Sequence, residues 1–253
     1  MAAKQETIRT FYRALYGAWG PQQWWPAESR FEVVVGAYLT QNTAWSNVEK
    51  ALHNLRAAQV LSVAGIRDVP LPDLEQLVRP SGYFRQKAIR LKLFVAFLDR
   101  QYGGSLDRLF AQPTAALRLE LLALPGVGPE TADSMLLYAG GHEVFVVDAY
   151  TRRIVERHAI LPFTADYEVI RSLFEKALRP LENVVLTRSP SPRSDLKGAR
   201  HQPSGASRLQ RSSLAQVYNE MHALIVGVGK DSCKKSQPQC DGCPLQQFLS
   251  VSK

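Results

Sequence analysis

Apolar residues recur along the chain with a helical period and almost nowhere with the alternation of a half-buried strand. In residues 7–16, Ile8, Phe11, Tyr12 and Leu15 share one helical face. Ser29, followed three residues later by Glu32, is a capping-box pair that opens a helix through Phe31, Val34, Val35, Tyr38 and Leu39. Ser46 with Glu49 predicts another, carrying Val48, Leu52 and Leu55, and Asp73 with Gln76 predicts a short third. Residues 84–102 set Ile89, Leu91, Leu93, Phe94, Phe97 and Leu98 against a face of lysine and arginine. Patterns at 114–124 and 130–139 flank a glycine-rich turn, and further helices are predicted at 149–158, 166–179 and 213–227. Only Glu143–Val147 reads as strand-like, and it is too short to found a sheet. The expected fold class is all-α.

One segment breaks the pattern. Arg188–Ser212 has three prolines, no aromatic residue and a Ser-Pro-Ser-Pro run, the composition of a solvated insertion rather than of core. It holds six basic residues against one acid, and so carries five of the chain's eight net positive charges. The +8 balance points to a polyanionic partner, but the 188–212 segment accounts for most of it. Both a plain flexible loop and a DNA-binding tail fit the segment. The 253 residues, 45% hydrophobic and 21% charged, exclude collagen-like, fully disordered and disulfide-scaffold classes. The start of the sequence has no apolar signal-peptide core, and no run approaches the roughly 18 apolar residues of a membrane span. Three cysteines, all between 233 and 243, are an odd number and too tightly clustered for a secreted framework. They suggest a metal site and a cytoplasmic, reducing compartment.

The stretch richest in chemistry is Leu124-Pro125-Gly126-Val127-Gly128-Pro129-Glu130-Thr131-Ala132. Gly126 and Gly128 allow a tight turn and a close approach of a ligand to backbone. Pro129 suits the first position of the following helix, whose N–H groups would suit a phosphate. Twenty residues after Gly128 comes Asp148, just before the helix predicted at 149–158. An aspartate there is by itself an N-cap.

The hairpin string resembles that of the helix-hairpin-helix DNA glycosylases, the superfamily of endonuclease III. Further matching runs are Leu39-Thr40-Gln41-Asn42-Thr43, Ser81–Ala88, Gly140-Gly141-His142, Val144–Arg153 and the cysteine cluster. The resemblance implies a two-lobed fold. Residues 28–140 would form a six-helix lobe with the hairpin. Residues 1–27 and 141–253 would form a second helical lobe, with the flexible insertion 188–212 and a cysteine loop at 233–249. It implies a monomeric, cytoplasmic enzyme, bacterial and nucleoid-associated when bound, acting on double-stranded DNA with a damaged base, without a membrane. Gly126, Val127 and Gly128 would hold the DNA backbone, and Gln41 would fill the gap left by the flipped base. Asp148 falls at the catalytic position, where a carboxylate stabilises the oxocarbenium character of a breaking N-glycosidic bond. Bifunctional members carry a lysine at position 130 as Schiff-base nucleophile. Here the residue is Glu130, which implies hydrolysis by water without strand cleavage unless Lys87, Lys176 or Lys230 substitutes.

Within the superfamily the chain is most similar to the bacterial 3-methyladenine DNA glycosylase III group, through Trp24-Trp25-Pro26, Gln41-Asn42-Thr43, Ser81-Gly82-Tyr83-Phe84 and the hairpin glutamate. The resemblance implies a base pocket of Trp24, Trp25, Trp45 and Lys230, with Glu130 a second catalytic candidate at its mouth. Stacking and cation–π contact would suit an alkylated purine. Packed core tryptophans, and a Glu130 that only favours its helix N-terminus, are the structural alternatives. A pyrimidine or mismatch glycosylase, or a non-catalytic DNA-binding module, are the functional ones. Cys233-x6-Cys240-x2-Cys243 resembles the start of the family's four-cysteine [4Fe–4S] loop, but the fourth position is Leu249. The cluster would be held by three cysteines and an outside ligand, or be lost, or the three thiolates would bind zinc in its place.

Overall fold

The computed structural model describes residues 1–22, 24–184, 205 and 209–249. Most of the 188–212 insertion lies outside the described residues. Among those described there are helices and no strand. The chain divides into two compact units, Ala27–Gly140 and a second built from Met1–Pro26 with Gly141–Lys253.

The second unit begins with α1 (Ala2–Trp19), which buries Ile8, Phe11, Tyr12, Leu15 and Trp19. It extends beyond the apolar stretch at 7–16 because the flanking residues are good helix formers.

The unit Ala27–Gly140 is organised around α2 (Arg30–Leu39), buried from Phe31 to Leu39. Ser29 caps it as predicted, accepting from the N–H of Glu32. The next helices are α3 (Trp45–Ala57), α4 (Val63–Asp68) and α5 (Leu71–Val78). Two start signals were misplaced. α3 enters from Ala44, so Ser46 is already helical and caps nothing. α5 enters from Pro70 with proline in its first turn, which places Asp73 inside the helix. α6 (Phe84–Tyr102) runs as predicted and ends at Gly103 in the left-handed conformation. α7 (Leu106–Phe110) and α8 (Thr114–Leu122) lead to the hairpin, and α9 (Pro129–Ser134) widens into a π-helical turn at Met135–Gly140. The expected six helices are thus eight segments. The two unpredicted ones, α4 and α7, are too short to show a period.

In the other unit, α10 (Ala149–Arg157), α11 (Tyr167–Leu178) and α12 (Ser213–Asp231) follow. α12 is its central helix and packs against α1, α10 and α11. From Leu214 to Gly229 every residue but Gln216 is buried. The strand-like run before α10 is extended but unpaired. Val144, Phe145, Val146 and Val147 are at most 1% exposed. The N–H of Phe145 donates to Glu175 (3.1 Å) and that of Val147 to the Tyr167 hydroxyl (3.3 Å), so side chains replace a neighbouring strand. No helix among the described residues is long and apolar enough to cross a membrane.

Candidate functional site

In the unit Ala27–Gly140, the turn joining α8 to α9 runs through Gly126 at φ 77° and Gly128, which precedes Pro129 as helix cap. Val127 between them is buried and anchors the turn, while both glycines are exposed. A Cβ on Gly126 would lie 2.1 Å from the Arg90 side chain. A Cβ on Gly128 would meet nothing within 4 Å, so packing within this structure places no steric demand for glycine there. The open face leaves room for an external backbone. The hairpin helices are clamped by Arg118, which donates to the fully buried Asp133 at 2.7 and 3.1 Å.

Gln41 docks on this turn. Its amide donates to the Gly126 carbonyl and the Thr131 hydroxyl, both at 2.9 Å, and Arg90 donates to its oxygen at 2.8 Å. Lys87 is 1% exposed and donates to the carbonyls of Leu39 (2.9 Å) and Ser81 (2.7 Å). Burial, then the nearby Arg90 charge, brings its pKa down to about 8. Glu130 is exposed in the first turn of α9 and Trp45 is half-buried at the start of α3. The loop before α6, within the Ser81–Ala88 run, adds an exposed ring. Tyr83 is 68% exposed at φ 44°, beside Arg79 and Arg85, which lie over the Phe84 ring.

The other unit collects Asp148, Trp24, Trp25, Lys230 and the cysteines. Asp148 caps α10: its Oδ1 accepts from the Thr151 N–H (2.7 Å) and hydroxyl (2.9 Å). Its Oδ2 faces Nε2 of His222, on α12, at 3.6 Å. Burial opposes ionisation of this carboxyl. The charge and hydrogen bonding of His222 and the hydrogen bonds from Thr151 outweigh it and hold the pKa below the usual carboxylate value. Sequence reasoning missed His222. The available signal was a run of polar side chains, Asn219, Glu220 and His222, inside an otherwise apolar helix.

Those three residues each hold a group brought from elsewhere in the unit. Asn219 donates to the Trp24 carbonyl at 2.9 Å, and Glu220 accepts from the Gln22 N–H at 2.7 Å. Trp24 and Trp25 are 5% exposed and pack edge to face at 5.2 Å. The exposed Lys230 brings its ammonium 5.8 Å from the Trp24 ring centre. Trp45 belongs to the other unit, so the three tryptophans do not form one cluster within either unit.

Cys233, Cys240 and Cys243 line one cavity with Arg157, His158 and Leu249. Arg157 donates to the Cys233 sulfur at 3.1 Å, while burial raises the pKa of the Cys243 thiol. The three thiols share this cavity with the apolar Leu249, which occupies the position expected for a fourth ligand. They do not make a site for a single ion: among the described residues no group of three His, Cys, Asp or Glu is placed to hold one. The loop is also tied to α10 by the protein itself, through Arg153 to the Cys233 carbonyl (2.6 Å) and Arg157 to that of Lys235 (2.9 Å).

A helical hairpin with an open glycine in one unit, and in the other an aspartate that caps a helix, fit a helix-hairpin-helix base-excision protein. The chain belongs to the HhH-GPD superfamily of base excision DNA repair proteins, whose pattern matches residues 35–180, and it is a DNA glycosylase of that superfamily. It is 41% identical over 246 residues, covering 97% of this chain and 96% of the relative, to a Methanocaldococcus jannaschii protein assigned to the DNA repair glycosylases. It is 27% identical over 219 residues to endonuclease III-like protein 1 of Bos taurus, covering 86% of this chain and 58% of that longer one. Among solved structures, the 3-methyladenine DNA glycosylase of H. pylori bound to 1,N6-ethenoadenine matches with a TM-score of 0.66 and 30% identity, over 89% of this chain and 95% of that one. A non-covalent endonuclease III–DNA complex matches at TM-score 0.70 and 20% identity, over 97% and 94%, which shows the shared fold.

Proposed function

We propose that this glycosylase is monofunctional and releases an alkylated purine, such as 3-methyladenine, from double-stranded DNA. The observation that carries the reading is Asp148, held ionised in the unit that also pairs Trp24 with Trp25. The likeness to the H. pylori enzyme supports the purine class.

In the proposed reaction the C1′–N bond breaks and its electron pair leaves with the base. The Asp148 carboxylate stabilises the positive charge that develops on the sugar. A water oxygen bonds to C1′ and its proton passes to Asp148. An alkylated purine already carrying positive charge leaves as a neutral base, so no strong general acid is needed. Trp24 and Trp25 offer ring faces for the base, Gly126–Gly128 hold the DNA backbone, and Gln41 leaves its dock on the hairpin to fill the gap.

Strand cleavage by imine formation needs an amine at the sugar. Glu130 stands where that lysine would be, and Lys87 is spent on two carbonyls inside the protein. The test is base release from a methylated duplex with sodium borohydride present. Release without a trapped adduct is expected. A covalent adduct would overturn the monofunctional reading, and release only from oxidised pyrimidines would overturn the purine one.

Cys233, Cys240 and Cys243 would hold three corners of a [4Fe–4S] cluster, which when bound supplies a redox-active crosslink for the loop. Leu249→Cys is then expected to raise the iron content of anaerobically prepared protein. No iron in either form would remove the cluster from this protein.

A further inference from the structure

His222 is 4% exposed in the apolar heart of α12. A polar ring placed there must find a partner, because an unsatisfied buried donor or acceptor costs about 1–3 kcal/mol. Its Nε2 faces Asp148 Oδ2 at 3.6 Å, and its ring stands edge-on to Phe145 with centres 6.2 Å apart. The two oxygens of Asp148 are not equivalent. Oδ1 is committed to the helix cap by two hydrogen bonds from Thr151. Oδ2 is the oxygen left for chemistry, and His222 stands beside it.

The pairing is imposed by how α10 meets α12. Gly229 lets Tyr150 press onto the helix, where a Cβ would lie 2.1 Å from that ring. Arg153, stacked over Tyr150 at 5.0 Å, donates to the Gly229 carbonyl at 3.1 Å. These contacts fix the register of the two helices and set the α10 cap against His222. Glu220, two residues earlier, turns instead to the Gln22 N–H and the Gln216 amide.

We propose that His222 is the positioning residue for Asp148, fixing from α12 the one carboxylate oxygen that the helix cap leaves uncommitted. The proposal rests on Asp148 as the catalytic group. It adds a function for α12 beside its hold on the Trp24 and Gln22 backbone.

The test compares wild type, His222→Leu, His222→Gln and Asp148→Asn. The first readout needs no substrate: the side-chain carboxyl of Asp148 is titrated by carbon NMR. The groups facing it are His222 from α12, Thr151 on its own helix and the Tyr150 phenol. In His222→Leu its midpoint is expected to rise by about half a unit or more, and His222→Gln, which retains a polar end, is expected to undo part of the rise. The second readout is single-turnover base release from a methylated duplex. His222→Leu is expected to lose about tenfold or more in rate with duplex affinity unchanged and the acid limb of its pH profile moved upward. An unmoved Asp148 titration in His222→Leu overturns the proposal, as does an unchanged rate. Full activity in Asp148→Asn would instead overturn the catalytic reading beneath it, a separate result.

Discussion

Arg118 and Asp133 hold the two hairpin helices together, and the energetics of that clamp can be worked from its burial. The Asp133 side chain has no exposed surface and that of Arg118 is 16% exposed. Replacing Arg118 with Met keeps the aliphatic stem but takes the bidentate cation away from a carboxylate buried in the interior. Removing one partner of a buried pair costs about 3–5 kcal/mol, against about 0–1 kcal/mol for an exposed pair. The geometry, two donors at 2.7 and 3.1 Å on one carboxylate, argues for the first range. Because the pair bridges α8 and α9, the loss should be local to the hairpin. The assay is native-state hydrogen exchange of amides in residues 114–140, with urea unfolding alongside. Arg118→Met should raise exchange throughout this stretch by about two orders of magnitude or more and weaken duplex binding. The double variant Arg118→Met, Asp133→Leu should recover most of the stability, since the buried carboxylate is removed together with its cation. A loss below about 1 kcal/mol for Arg118→Met alone would refute the reasoning. The hairpin would then owe its rigidity to the apolar contacts of Leu117, Leu121 and Ala132.

Gly128→Ala should cost the fold less than about 1 kcal/mol as a poorer cap, since its Cβ meets nothing, yet weaken duplex binding severalfold; unchanged affinity in a titration would remove the backbone-approach role. Asp148→Asn should lose base release by about a hundredfold or more while still binding methylated duplex, measured by single turnover and gel shift. Because the folded pKa of Asp148 lies below its unfolded value of about 4, the carboxylate stabilises the fold at neutral pH. That advantage of wild type over Asp148→Asn should fade as pH falls below about 4, followed by acid unfolding. Lys87 acts with the same sign in a more alkaline window: its pKa falls from 10.5 to about 8, so the unfolded chain binds more protons between those values. Wild-type stability should rise relative to Lys87→Met across that window, and parallel curves in urea melts at pH 7.5 and 10 would count against it.

Helix positions were legible wherever an apolar face ran for two turns or more, as in α2, α6 and α12. The starts of α3 and α5 were not. A Ser-x-x-Glu spacing occurs inside helices as readily as at their ends, and prolines at 70 and 72 set the entry to α5 before Asp73 is reached. At the site, Asp148 was legible because its two properties coincide: the residue expected at the catalytic position is also the cap of α10. The burial of Lys87 was not legible, because a lysine on an otherwise amphipathic helix gives no sign of which carbonyls wait for it. Nor was the docking of Gln41 on Gly126, a contact across 85 residues of sequence.

The same difficulty explains His222, and shows what in the sequence could have found it. α12 is buried nearly all round, so its apolar residues carry no directional information. The informative positions are the exceptions. Every buried polar residue on such a helix must be matched by a group brought from elsewhere. Asn219 meets the Trp24 carbonyl, Glu220 meets the Gln22 N–H and His222 meets Asp148. Every buried glycine marks where another element presses in: Trp19 at Gly227 and Tyr150 at Gly229. Read by its exceptions, α12 specifies where the aromatic loop, α1 and α10 attach. The residues that break its pattern are those that assemble Asp148, Trp24 and Trp25 in one unit.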